Sequence, residues 1–202
     1  MKVSWRNGLL GLAGVILGAA LFIILSSLFS PHMYAGTHLD TPQPAGDFSL
    51  LGPGGKEVHL TDFQGKVVLI FFGYTSCPDV CPATMSELAG VLKALGPIAD
   101  QVQVLMISVD PEQDTPERLA AYLGGFDARI LGLSGSLEQI TAVAAAYGVY
   151  FAKKPYGDQG KYLVDHTAYI YMIDRRGDLQ VLYPFGSRAV DLTTDVRYLL
   201  KH

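Results

Sequence analysis

Cys77 and Cys81 are the only thiols in a chain of 202 residues. They stand four positions apart in Phe71-Phe72-Gly73-Tyr74-Thr75-Ser76-Cys77-Pro78-Asp79-Val80-Cys81-Pro82. A wholly apolar run, Val67 to Phe72, leads into the pair, and a helical pattern starts directly behind it. Soft sulfur ligands at a strand-to-helix junction suit metal binding or thiol chemistry. A first helical turn there brings backbone N–H groups and the positive end of the helix dipole to the sulfurs, which favours thiolate. A disulfide kept only for stability would gain little, since closing so short a loop is worth about 2 kcal/mol against about 4.7 kcal/mol for a 100-residue loop.

The elements that must hold this pair are readable on either side of it. Phe48-Ser49-Leu50 and Val58-His59-Leu60 flank Gly52-Pro53-Gly54-Gly55, which predicts a short hairpin with His59 facing solvent. Val67 to Phe72 has the continuous apolar character of a strand buried on both faces. Met85, Leu88, Leu92 and Leu95 recur at helical spacing behind the cysteines, with Pro82 in the first turn and Gly96-Pro97 as the stop. Val102 to Val109 predicts a second buried strand, and Thr115-Pro116 starts a helix running to Gly124-Gly125. Ile130 to Leu133 is a short strand. Ser136 with Gln139 forms a capping box for a helix with Ile140, Val143 and Tyr147 on one face, closed by Gly148. Lys153 to Lys161 is polar and reads as a mobile loop. Ala168 to Ile173 and Leu179 to Tyr183 predict a hairpin across Asp174-Arg175-Arg176-Gly177, and Leu192, Val196, Leu199 and Leu200 mark a closing helix. With the cysteines at the end of the first long strand, this order predicts an α/β, thioredoxin-like fold with an N-terminal β-hairpin extension.

In that arrangement the segment entering the strand Ala168 to Ile173 lies opposite the cysteine turn, and here it reads Asp165-His166-Thr167. A neutral imidazole beside two thiolates makes a set of two sulfurs and one nitrogen. Such a set suits three-coordinate Cu(I) and holds Cu(II) with an added oxygen ligand. Asp165 is a candidate to orient the ring from behind. Asp79 is either an oxygen ligand for Cu(II) or a solvated turn residue. Zinc fits less well, because a structural zinc takes four protein ligands.

Half of the residues are apolar, enough to bury one full core with a tail. Gly8 to Phe29 carries no charge; its 22 residues would span roughly 30 Å as a helix, the thickness of a bilayer's hydrocarbon. That length, with no small-x-small site close behind, predicts a retained transmembrane helix in residues 1–30 rather than a cleaved signal. Lys2 and Arg6 precede the span and the next basic residue is Lys56, so the positive-inside bias puts everything after Ser30 outside the cytoplasm. Beyond the span lie 13 of the 15 basic residues and all 19 acidic ones, a balance that argues against a nucleic-acid partner. Residues 31–46 read as a linker, in which His32, Met33 and His38 are incidental polar and soft residues rather than a second metal site. Residues 47–202 then form the folded domain, on the oxidising side of the membrane.

The stretches 71–82, Ser-Val-Asp-Pro-Glu-Gln-Asp-Thr-Pro (108–116) and Val-Asp-His-Thr (164–167) closely resemble the Sco/SenC family, and the likeness runs from about Asp47 to Leu200. Members of that family are membrane-tethered, thioredoxin-like copper proteins that help assemble the binuclear copper centre of cytochrome c oxidase. The resemblance implies that Cys77, Cys81 and His166 are copper ligands. It also implies a cytochrome c oxidase copper-centre subunit as client, with another copper chaperone or a thiol reductase to load or reduce the site. In a bacterium this means an inner-membrane, single-pass protein with its domain on the periplasmic side. Gln113, where many relatives carry a basic residue, departs from the pattern without touching a ligand. On its own merits the tract 108–116 reads as a strand end and a helix start. Two further readings of the pair remain open: a thiol-disulfide reductase, with Cys77 and Cys81 as the reacting groups and no need of His166, and, more weakly, a peroxidase-like thiol enzyme.

Overall fold

Seven consecutive apolar or small residues, Val67–Gly73, form strand β4, and all seven are buried. Flanking strands must therefore saturate its edges and other elements must cover both of its faces. The computed structural model describes residues 15–22, 26, 32–156 and 161–201. It divides into two compact units, Met1–Met33 and Tyr34–His202. In the first unit residues 15–22 are helical and exposed. The expected membrane span falls largely outside the described residues, and among those described no helix is long and apolar enough to cross a membrane.

The second unit runs β1 (Thr37–Pro44), β2 (Ser49–Leu51), β3 (Glu57–His59), β4 (Val67–Gly73), α1 (Val80–Leu95), β5 (Val102–Ser108), α2 (Pro116–Gly124), β6 (Ile130–Leu133), α3 (Leu137–Ala146), β7 (Phe151–Pro155), β8 (Tyr162–His166), β9 (Tyr169–Ile173), β10 (Asp178–Pro184) and α4 (Ala189–Leu199). Six strands make the main sheet in the order β1-β10-β9-β4-β5-β6. β4, β5 and β6 are parallel, while β9 is antiparallel to β4 with Phe71 opposite Ile170. β2 and β3 form the expected hairpin, with Leu50 opposite Val58, and β7 and β8 form a second two-stranded sheet.

Helix α1 buries Cys81, Thr84, Met85, Leu88, Val91, Leu92 and Leu95, the stripe its apolar spacing predicts. Gly96 ends it at φ 58°, a left-handed turn that suits glycine. The capping box of α3 is present, Ser136 accepting from the Gln139 N–H and the Gln139 side chain from the Ser136 N–H.

Two segments depart from the sequence reading. The stretch expected to be a linker holds β1, which pairs with β10 through Thr37 and Leu182, His38 and Val181, Gln43 and Leu179, and Pro44 and Asp178. An edge strand hydrogen-bonds on one side only, so Pro42 and Pro44 are tolerated, and the register shifts between His38 and Gln43. The polar segment expected to be a loop from Lys153 begins instead as β7, whose partner β8 supplies its hydrogen bonds; residues 157–160 lie outside the described set.

Candidate metal centre

The cysteines sit where β4 ends and α1 begins. Cys77 lies in the connecting turn and is partly exposed, while Cys81 lies in the first turn of α1 and is fully buried. The Cys81 N–H points at the Cys77 sulfur, 3.4 Å away. Gly73 makes room behind them: a Cβ there would stand 3.0 Å from Cys81 Sγ and 2.5 Å from a Phe71 ring carbon. His166 closes the cleft from the end of β8, with Nε2 3.6 Å from Cys81 Sγ. One ligand atom from each of Cys77, Cys81 and His166 lies within 4.8 Å of the others, and among the described residues no further group of this kind occurs. Both cysteines are free thiols.

The imidazole is held on three sides. Nδ1 faces the Thr167 carbonyl at 3.2 Å. With the ring proton donated there, Nε2 keeps its lone pair toward the sulfurs. The Phe71 and Tyr74 rings each meet the imidazole edge-on at 5.9 Å between centroids. The orienting role considered for Asp165 thus falls to a backbone carbonyl. Asp165 pairs instead with Lys154 across the β7–β8 hairpin, because a residue next to His166 on a strand points to the opposite face. Asp79 is exposed at the lip of the cleft and caps no helical N–H with its side chain. His38, from the expected linker, stacks on Tyr34 at 4.5 Å.

The two thiols differ in acidity. A hydrogen bond from Cys81 holds the Cys77 thiol well below the ordinary range against the opposing effect of its burial, with further help from His166 and the backbone at Asp79 and Cys81. Cys81 is pushed upward by that same hydrogen bond to the Cys77 sulfur and by burial. Cys77 is therefore the standing thiolate and Cys81 the protonated partner. Iodoacetamide is expected to alkylate Cys77 alone, at a rate nearly flat from pH 9 down to pH 5, because the thiolate is lost only below its lowered pKa. Peptide mapping after a short pulse reads this out; a Cys77 rate that falls about tenfold per pH unit from pH 8 would contradict it.

The tract 108–116 does more than end a strand and start a helix. Asp114 is 1 % exposed and accepts from the Thr75 N–H at 3.0 Å, the Thr75 hydroxyl at 2.5 Å and the Ser108 hydroxyl at 2.7 Å. Arg118 donates to Thr75 Oγ1 and Ser76 Oγ, both at 2.8 Å, and lies 3.7 Å from the Asp114 carboxylate. Together they brace the two residues that precede Cys77. Asp110 is equally buried and accepts from the Tyr162 hydroxyl, which ties β8 to the end of β5. The one sequence signal for these roles was an acid just past the carboxyl end of a buried parallel strand, the side of such sheets where sites are built.

The SCO1/SenC family profile matches residues 36–201. The chain belongs to the SCO1/SenC family. Among curated relatives of this SCO1/SenC chain, the mitochondrial SCO2 homolog of Bos taurus is 41% identical over 154 residues, 75% of this chain and 58% of the relative, so the chain spans about three-fifths of that relative's length. Its fold is that of solved relatives. The copper-bound ScoI of Bradyrhizobium japonicum is 42% identical with a TM-score of 0.73, covering 78% of this chain and all of that one. The apo Sco1 of Thermus thermophilus is 42% identical with a TM-score of 0.76, covering 85% of this chain and 99% of that one.

Proposed function

We propose that this SCO1/SenC protein is a copper metallochaperone, held to a membrane by residues 1–30, that takes copper onto Cys77, Cys81 and His166 and delivers it to the binuclear copper centre of cytochrome c oxidase. The observation that carries the reading is the meeting of Cys81 Sγ and His166 Nε2 at 3.6 Å with Cys77 in the same cluster. An ion bonded to sulfur at about 2.3 Å and to nitrogen at about 2.0 Å needs donors some 3.5–4 Å apart, which this spacing meets. Two sulfurs and one imidazole select copper by softness, and the copper-bound ScoI of Bradyrhizobium japonicum lends the same support. The client and the periplasmic side of a bacterial inner membrane follow from the family resemblance and from the charges that flank the apolar stretch.

Copper leaves such a site by ligand exchange. Cys77 lines the open side of the cleft with Pro78, Asp79 and Tyr150, so an incoming client thiolate reaches the metal from that side while Cys81 holds it from within. Each sulfur released is replaced by one gained, and the charge on the metal's surroundings changes little during transfer.

A second reading has its own support. A partly exposed Cys77 thiolate backed by a buried Cys81 thiol is also the order of a dithiol reductase, in which the first sulfur attacks a client disulfide and the second resolves the mixed intermediate. Mixing the copper-loaded protein with an apo copper-centre subunit separates the two. Growth of the binuclear centre's visible absorption, with matching loss of copper from this chain, is expected; copper that stays put while client thiols become reduced would leave the reductase reading alone.

A further inference from the structure

The two halves of the cleft share no strand pairing. Cys77 and Cys81 follow β4 of the six-stranded sheet, whereas His166 ends the separate β7–β8 sheet. From His166 the chain passes through Thr167 and Ala168 into β9, whose Ile170 pairs with Phe71 of β4, and side chains add to that backbone link in setting the gap between sulfur and imidazole. At the far end of the hairpin Tyr162 holds to Asp110. At the histidine end stands Tyr74, 3 % exposed. Its carbonyl accepts the Cys77 N–H at 3.3 Å, its ring meets the His166 ring at 87°, and its hydroxyl accepts the Val164 N–H at 3.2 Å, two residues before His166. One residue thus touches the cysteine turn through its backbone and its hydroxyl, which also faces Cys77, and the histidine strand through both ring and hydroxyl. Phe71 makes a similar ring contact but has no hydroxyl with which to hold the hairpin.

We infer that Tyr74 is a positioning residue that fixes the reach of His166 over the cysteine pair, and so sets how firmly the site holds Cu(II), without being a ligand itself. The inference rests on the copper site proposed above. Without the hydroxyl, the Val164 N–H loses its acceptor in a place where water is scarce, and the end of β8 is freed to shift. His166 then samples positions too far from the sulfurs, while the cysteines, fixed by Asp114 and by α1, stay where they are.

Tyr74→Phe keeps the ring and removes only the oxygen. In the metal-free protein, hydrogen exchange at the Val164 amide is expected to quicken about tenfold, with β4 and β9 amides unchanged. In the Cu(II)-loaded protein, nitrogen superhyperfine splitting from the imidazole should weaken or become heterogeneous and Cu(II) affinity should fall about tenfold. Alkylation should still fall on Cys77 and spare the buried Cys81. Tyr74→Leu, which removes the ring as well, should move the Val164 exchange, the Cu(II) spectrum and the Cu(II) affinity further in the same direction. Parental Val164 exchange and a parental Cu(II) spectrum in Tyr74→Phe would overturn the inference. A parent protein whose own Cu(II) spectrum carries no imidazole nitrogen would instead overturn the copper-site reading, and that failure is visible before any variant is made.

Discussion

His166→Ala is expected to weaken Cu(II) binding by more than about 100-fold without removing the reactivity of the thiols, although Cys77 loses the help the imidazole gives in lowering its pKa. Losing a hydrogen-bond partner behind a ligand already costs 10–100-fold in metal affinity, and here the donor itself is removed. The imidazole is also the set's one ligand of intermediate softness; two thiolates alone suit Cu(I) far better than Cu(II). The fold should survive the change, since His166 is partly exposed at the end of a two-stranded sheet. Competition titration against a chelator measures the affinity, and the rate of Cys77 alkylation measures the thiols. Equal Cu(II) affinity in mutant and parent would remove His166 from the ligand set. A mutant that binds Cu(II) weakly but reduces client disulfides at the parental rate would show that the two activities share sulfurs and part company at the imidazole.

That the imidazole could be found from sequence at all depends on how strongly the core is patterned. β4 and α1 are fixed by an unbroken apolar run and by a helical stripe, and neither pattern fits another period. Once β4 is placed, Cys77 and Cys81 can only fall at its carboxyl end, and the strand entered after His166 must be its antiparallel neighbour. What was hidden lay at exposed edges. β1 buries little and carries two prolines, so its pairing with β10 is decided by the partner and leaves no periodic trace. β7 is hidden for the same reason, since Lys153, Lys154 and Pro155 look like a loop until β8 lies beside them. Asp165 is next to His166 in the sequence, but adjacency on a strand places two side chains on opposite faces, and it pairs with Lys154. Tyr74, Asp114 and Arg118 were out of reach differently: their roles depend on three-dimensional meeting points, and each residue type is unremarkable where it stands in the sequence.

Oxidation of Cys77 and Cys81 to the disulfide is expected to abolish copper uptake, and reduction to restore it in full. A metal thiolate bond needs the sulfur's anionic lone pair, and a disulfide spends both thiolates on one S–S bond, releasing two electrons and the Cys81 proton. The single imidazole that remains is no site. The asymmetry of the pair favours the reduced form: the forces that hold Cys77 as a thiolate stabilise the dithiol relative to the disulfide, which raises the reduction potential and makes the disulfide easy to open. On the extracytoplasmic side proposed above this would be the condition for staying competent, because each spontaneous oxidation is reversed by a modest electron donor. Copper bound per chain, measured by metal analysis after gel filtration of fully oxidised, fully reduced and re-reduced protein, should read about zero, one and one. Undiminished uptake by the oxidised chain would take both sulfurs out of the metal site, and with them the claim that the cysteine turn and the histidine strand form a single centre.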